Sequence, residues 1–221
     1  MSQSIRRPFR FAVVTAQVSS AQEWVSIARR VESTGYTTLL MPDAPAGPVL
    51  SPLPALAVAA ASTTTLRLGT WVLANNLHNP VLLARESATL DLLSGGRFEL
   101  GLGTGRPDND YASVGLSMES GGERVRRLGE SVRIINALFR GESVTVSGSH
   151  YSISGATLFP TPLRRLPMLL AASGKRAIEL AGEQANIVAM GAHFGSQLSE
   201  QVEWLKAGAG ERFSSIELST L

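Results

Sequence analysis

Short, almost wholly apolar runs alternate along the chain with longer stretches in which apolar residues return every three or four positions. The first rhythm suits strands buried on both faces, and the second suits helices lying against them. The pattern is clearest from Leu66 to Gly105. Leu66 to Leu73 reads as one strand, with Gly69 inside it. Pro80 fits a first helical position, where its missing N–H is not needed. Val81, Leu82, Ala84, Ala88, Leu90 and Leu93 follow at helical spacing. Ser94-Gly95-Gly96 ends that helix, because glycine takes the left-handed conformation without Cβ strain. Arg97 to Leu102 is the next strand, and Gly101, Gly103 and Gly105 mark its carboxyl end. Strand, helix and strand joined by short loops form a βαβ unit, whose strands are parallel.

The same alternation runs through the rest of the chain. Phe9 to Thr15 is an apolar strand after a basic leader. Ser19 or Ser20 caps a helix running to Gly35, and Glu23 stands three residues after Ser20, as in a capping box. Tyr36 to Met41 is the second strand. Ser51 to Thr63 is an alanine-rich helix capped by Ser51, with Pro52 in its first turn. Arg106 to Met118 reads as a polar loop, and Glu123 to Phe139 as an amphipathic helix. From 141 to 162 the period shortens to alternation with glycine turns, which predicts a β-hairpin excursion within a single domain spanning 1–221. Pro167 to Ala172 is a strand, Ser173 opens a helix running to about Gly182, and Ile187 to Met190 is a strand. Gln197 to Lys206 is a helix, and Ile216 to Leu221 a nascent seventh strand. Repeated strand–helix alternation means parallel α/β, as a barrel or as an open doubly wound sheet.

Composition narrows the function. The chain has 221 residues, enough for one full core, with 44% hydrophobic and 17% charged residues. A net charge of +2 on scattered arginines gives no case for nucleic acid. Without cysteine there is neither a disulfide framework nor a thiolate metal site, and His78, His150 and His193 lack ligand spacing. We therefore expect no metal. No apolar run reaches the roughly 18 residues of a membrane span, and the N-terminus lacks the apolar core of a signal peptide. The expectation is a cytoplasmic enzyme with no membrane partner.

The run GTWVLANNLHNPVLLARESATLDLLSGGRFELGLGTG resembles the signature of the bacterial luciferase-like monooxygenase family, the flavin- or deazaflavin F-420-dependent oxidoreductases. Its most specific piece is LSGGRFELGLGTG after an alanine- and leucine-rich helix, with a tyrosine-containing loop beyond. The resemblance implies a TIM (β/α)8-type barrel. About seven strands and six helices are legible here, one strand and two helices fewer than is usual in that family. The expectation is a truncated barrel, or one completed by a partner, and a homodimer.

Carboxyl ends of barrel strands carry the chemistry. Ser173, Gly174, Lys175 and Arg176 stand where a helix N-terminus and added charge suit an anion. The resemblance makes this turn a phosphate clamp; otherwise it is an ordinary turn with solvated basic residues. It also places Gly103, Thr104, Gly105 and Arg106 beside the cofactor ring and its tail, although glycines there also suit close packing inside a barrel. Tyr111 either covers the phosphates or anchors its loop. For Trp71 and Val72 the resemblance implies a non-proline cis peptide behind the central ring, against a regular strand with Trp71 in the core. Leu73 and Asn75 follow beside the ring, unless the asparagine amides make Asx turns. Met190 and Gly191 close the list of cofactor contacts. Asp43 and His78 are the candidate catalytic residues, although a histidine placed like His78 more often leads into a helix, here the one at Pro80, than acts as a general acid. Many deazaflavin-using relatives carry Asp-His after the second strand, whereas here Ala44 follows Asp43. That leaves FMN and coenzyme F-420 both open.

The implied activity is hydride transfer or peroxyflavin chemistry on a small organic substrate, served by a separate flavin or deazaflavin reductase. The cofactor performs that chemistry, while the protein positions it and excludes water. Two other readings stand beside it. One is a vestigial, non-catalytic flavin-binding barrel. The other is a phosphate-binding barrel enzyme of different chemistry, which would want a catalytic lysine or carboxylate pair where Asp43 stands alone.

Overall fold

The computed structural model describes residues 9–106, 110–162, 164–191 and 196–220. The leader before Phe9, His193 and Leu221, each part of the reading above, lie outside them.

Strands and helices alternate as β1 (Ala12–Val14), α1 (Ala21–Ser33), β2 (Thr38–Met41), α2 (Pro52–Ser62), β3 (Arg67–Thr70), β4 (Leu73–Ala74), α3 (Pro80–Leu93) and β5 (Phe98–Gly103). A short α4 (Asp110–Ser113), the long α5 (Gly121–Phe139) and an antiparallel hairpin, β6 (Val144–Ser147) with β7 (Ser152–Ala156), follow. The chain then returns through β8 (Met168–Ala172), α6 (Lys175–Gln184), β9 (Ile187–Met190), α7 (Ser196–Ala209) and β10 (Glu217–Ser219). One sheet of eight strands holds the order β1-β2-β3-β5-β8-β9-β10, with β4 on β5, and every pairing in it is parallel. The path is open, with β1 and β10 as its edges. Arg10, just ahead of β1, nevertheless places Nε and Nη2 2.9 and 3.0 Å from the Glu217 carboxylate on β10. The sheet therefore curls until its edges meet across one side chain.

Alternation explains the layers. Met168, Leu170, Val188 and Met190 join the main core under the helices. Their neighbours Leu169, Ala171, Ile187 and Ala189 form a second cluster with Trp71 and Val72. That second cluster is the concave face. Strands β2, β5 and β9 are buried at every position, as strands covered on both faces must be.

Helix starts follow local chemistry. Ser20 Oγ accepts the Glu23 N–H, while the Glu23 carboxylate reaches back to the N–H of Ser19. Asn79 Oδ1 accepts from Val81 and Leu82, beside Pro80. Ser51 occupies the cap position of α2, yet makes no side-chain cap bond there.

Several boundaries differ from the sequence reading, α7 reaching Ala209 and β1 shrinking to three residues among them, and three bear on the site. The run from Leu66 to Leu73 is two strands, with a cis Trp71–Val72 peptide between them and a register on β5 that slips by one residue from one to the other. Thr70 fills the gap: its Oγ1 donates to the Gly101 carbonyl and accepts the Gly101 N–H, both at 2.8 Å. The stretch from Arg106 to Met118 contains a helical turn, α4. Helix α5 starts two residues earlier than its apolar face suggests, at Gly121, capped by Ser120.

Helices α6 and α7 pack backbone to backbone. A Cβ on Gly182 would lie 2.7 Å from the Ala209 nitrogen, and one on Gly208 would overlap the Glu179 main chain.

Candidate functional site

A cavity of about 1160 Å³ opens over the carboxyl ends of the strands. Its floor is the concave apolar face: Trp71, Val72, Ala171 and Ala189. Gly103 lets that floor close up, because a Cβ there would sit 2.7 Å from Val72 Cγ2.

One end of the cavity is cationic. The β8–α6 turn brings Ser173, Gly174, Lys175 and Arg176 to its wall. Gly174 is the helix cap, has no side-chain cap bond, and faces open space. The first N–H groups of α6 are thus left for an anion, which the helix dipole favours. Lys175 reaches Glu179 only at 3.9 Å and is 62% exposed. Across from it, β5 delivers Gly103, Thr104, Gly105 and Arg106 to the same wall. Tyr111, 2% exposed, donates its hydroxyl to the Thr104 carbonyl at 3.2 Å. Gly105 takes φ +77°, and a Cβ there would collide with that hydroxyl, so this turn requires glycine.

A second helix N-terminus faces the cavity, which the sequence reading missed. Gly121, Gly122 and Arg124 of α5 line it. Arg124 is buried, with Nη1 donating to the Thr104 and Gly105 carbonyls at 3.0 and 2.6 Å. Its Nε is buried without a hydrogen-bond partner. A buried donor with no acceptor, beside the uncapped start of α6 and the glycine-lined first turn of α5, fits a bound anion such as a phosphate. The glycine pair after Ser120 was the available signal; Arg124 itself reads as one more polar position on an amphipathic helix.

The other end carries Asp43, at the carboxyl end of β2. Its Oδ2 accepts the Ala74 N–H at 3.2 Å and His78 Nε2–H at 2.9 Å. The two candidate catalytic residues, 35 positions apart in sequence, are thus one hydrogen-bonded couple. Asp43 lines the cavity, whereas His78 stands behind it. Met190 and Gly191 line the cavity at β9. Leu73 and Asn75 do not: both are fully buried, and the Asn75 amide donates to the Tyr151 hydroxyl at 3.4 Å. Among the described residues no three His, Asp or Glu side chains converge as a metal centre, and no helix is long and apolar enough to cross a membrane.

A curled parallel α/β sheet with a cavity over its strand ends defines a protein of the (β/α)-barrel class. Residues 5–220 match the model of the luciferase-like monooxygenase family. The chain belongs to that family. It is 44% identical over 131 residues to the F420-dependent glucose-6-phosphate dehydrogenase of Beutenbergia cavernae, covering 59% of this chain and 39% of that protein. It is 32% identical over 186 residues to the enzyme of the same name from Microbacterium testaceum, covering 80% and 55%. The chain therefore spans about half the length of the curated relatives it matches. Among solved structures, an F420-dependent secondary alcohol dehydrogenase in complex with an F420-acetone adduct superposes with a TM-score of 0.85 at 20% identity, over 95% of this chain and 67% of that one. The likeness extends to the fold.

Proposed function

We propose that this protein is a deazaflavin F-420-dependent oxidoreductase, a cytoplasmic homodimer that transfers hydride to or from a small organic substrate. The observation that carries the reading is the polarity of the cavity: two helix N-termini and four cations at one end, an apolar floor, and at the other the Asp43 carboxylate, hydrogen-bonded to His78 outside the cavity wall. Lys175, Arg176, Arg106 and Arg124, with the free amides of α6, would hold the cofactor's phosphate. Trp71, Val72 and Gly103 would support the ring. Bound there, F-420 supplies a two-electron hydride carrier. Asp43 and His78 hold and pass the proton that accompanies hydride transfer at a substrate hydroxyl or carbonyl, since their hydrogen bond joins a titratable acceptor to a titratable donor. The curated relatives' names support the choice of F-420. Reduction of the carrier falls to a separate deazaflavin reductase.

FMN is the second reading, favoured by Ala44 standing where many deazaflavin-using relatives have histidine.

The dimer rests on α2 and α3. Helix α2 carries no charged residue, and Leu82 and Leu93 of α3 are 58% and 70% exposed beside a groove of about 320 Å³. A helix apolar all round belongs in an interior. A two-fold axis there would pair Arg85 with the partner's acidic counterpart on the same groove.

Titration with F-420 and with FMN, followed by fluorescence and thermal unfolding, tests the assignment. Saturable F-420 binding with a rising Tm is expected, weakened at least tenfold by Lys175→Ala with Arg176→Ala. Saturation by FMN alone would establish the second reading, and binding of neither would overturn both.

A further inference from the structure

The turn that carries His78 is pinned from two sides. On the inner side, Asp43 Oδ2 takes the Ala74 N–H at 3.2 Å and the His78 ring N–H at 2.9 Å. These two donors flank a single 3-10 turn, Asn75–Leu77, which the His78 N–H closes onto the Asn75 carbonyl at 3.2 Å. On the outer side, the Asn76 amide donates to Glu119 Oε2 at 3.2 Å. Glu119 lies ahead of α5 and is itself gripped by Arg127, whose Nε reaches the same oxygen at 2.9 Å while Nη2 takes the other. Arg127 is backed by the hairpin, its guanidinium 5.8 Å from the centre of the Tyr151 ring. The Asn76 carbonyl oxygen is buried without a partner. The amide therefore has one tie, and that tie is to Glu119.

We propose that Glu119, locked by Arg127, is a positioning residue for the Asp43–His78 couple, acting through Asn76 and the 3-10 turn. His78 meets Asp43 through one ring nitrogen, from the end of a turn only three residues long. The contacts to Asp43 and the bond from the buried Asn75 to Tyr151 hold the ends of the turn and leave Asn76, at its middle, free to move. An ion pair with two hydrogen bonds on its far side removes that freedom, because a forked guanidinium–carboxylate pair fixes direction as well as distance. The proposal rests on the proton-transfer role given to Asp43 and His78 above. It makes the hairpin between β6 and β7 part of the site's support, through Tyr151 against Arg127, although the hairpin contributes no residue to the cavity wall.

The test is the imidazole nitrogen spectrum of His78 in the unliganded protein at one fixed pH, assigned by its loss in His78→Gln. A single, hydrogen-bonded tautomer is expected in the parent protein. Glu119→Ala and Asn76→Ala should each shift the signal toward the averaged pattern of a free imidazole. Glu119→Gln, which keeps an acceptor for Asn76, should restore much of the parent pattern. In turnover, kcat should fall about tenfold in the two alanine variants while the cofactor Kd stays within twofold, since the anion end is untouched. An unchanged His78 spectrum in Asn76→Ala, with the protein folded, would overturn the proposal. So would equal loss in Glu119→Gln and Glu119→Ala. The spectrum needs no cofactor, so failure of the F-420 assignment would show separately, in the titration.

Discussion

The two ends of the same strands are built on opposite principles. At the amino ends, most charged side chains meet several protein partners, although Arg164, bound to Asp91 and the Phe98 carbonyl, also keeps one buried nitrogen without a partner. Arg10 and Arg67 share one oxygen of Glu99, at 2.8 and 2.6 Å, and Arg10 continues to Glu217. Arg97 donates to the carbonyls of Ala60, Thr63, Leu66 and Ser94 and to the Thr63 hydroxyl, tying the end of α2 to the end of α3. Arg212 does the same for the last turn of α6, at Gly182, Glu183 and Ala185. At the carboxyl ends, Arg124 keeps a buried nitrogen without a partner inside a cationic cavity wall, and α6 starts without a side-chain cap. Satisfied charges stabilise a fold, and unsatisfied ones wait for a ligand. One sheet thus separates stability from binding along the strand direction, as barrel folds generally do.

Three substitutions would break or sharpen that contrast. The largest effect should come from Arg97→Ala. It strips donors from several carbonyls at once, each costing about 1–3 kcal/mol when left buried and unpaired. The expected loss is about 3 kcal/mol in stability, a Tm lower by roughly 6–12 °C, with cofactor affinity in the folded protein unchanged. A loss of affinity without a fall in Tm would contradict the division.

Gly174→Asp should move the two quantities in opposite directions. A side chain there meets open space, and aspartate is a good helix cap. Calorimetry should show about 0.3 kcal/mol of added stability, since glycine is itself a fair cap, while the new carboxylate should oppose the phosphate of the proposed cofactor and raise its Kd more than tenfold.

The smallest effect concerns Glu32. Burial works to raise its pKa, but the N–H groups of Thr65, Leu66 and Thr64 and the Thr65 hydroxyl outweigh it and lower it to about 2. A depressed carboxylate stabilises above its unfolded pKa of about 4.3 and loses that contribution as pH falls through the folded value. Glu32→Gln should therefore be less stable than the parent at neutral pH. The two Tm values should converge as pH drops from about 4 toward about 2.

What the sequence revealed depended on whether the cause was local. Helix α3 was legible because Asn79, Pro80 and Ser94-Gly95-Gly96 punctuate it within a few residues. The break between β3 and β4 was visible only through family resemblance, since it needs Thr70 to bond Gly101 on the neighbouring strand. The β8–α6 turn stood out because charge and glycine fall together in four positions. Arg124 did not, because its carbonyl partners lie 19 and 20 positions away. Asp43 and His78 were each recognisable, but that they form a couple is a property of the curled sheet. The sequence cast His78 as a residue leading into α3, and it does stand just before Asn79 and Pro80; tertiary structure gives it a second role.

The close approach of α6 and α7 bears on how this chain can change over generations. Gly182 and Gly208 each press against the other helix's main chain. A side chain at either one would drive the helices apart and tilt α6, whose first turn faces the cavity. No compensating substitution at the other position can help, because glycine is already the smallest residue. The pair is an evolutionary dead end for single changes. Drift in this corner must instead come from relocating a whole helix, which would carry the anion-binding amides with it.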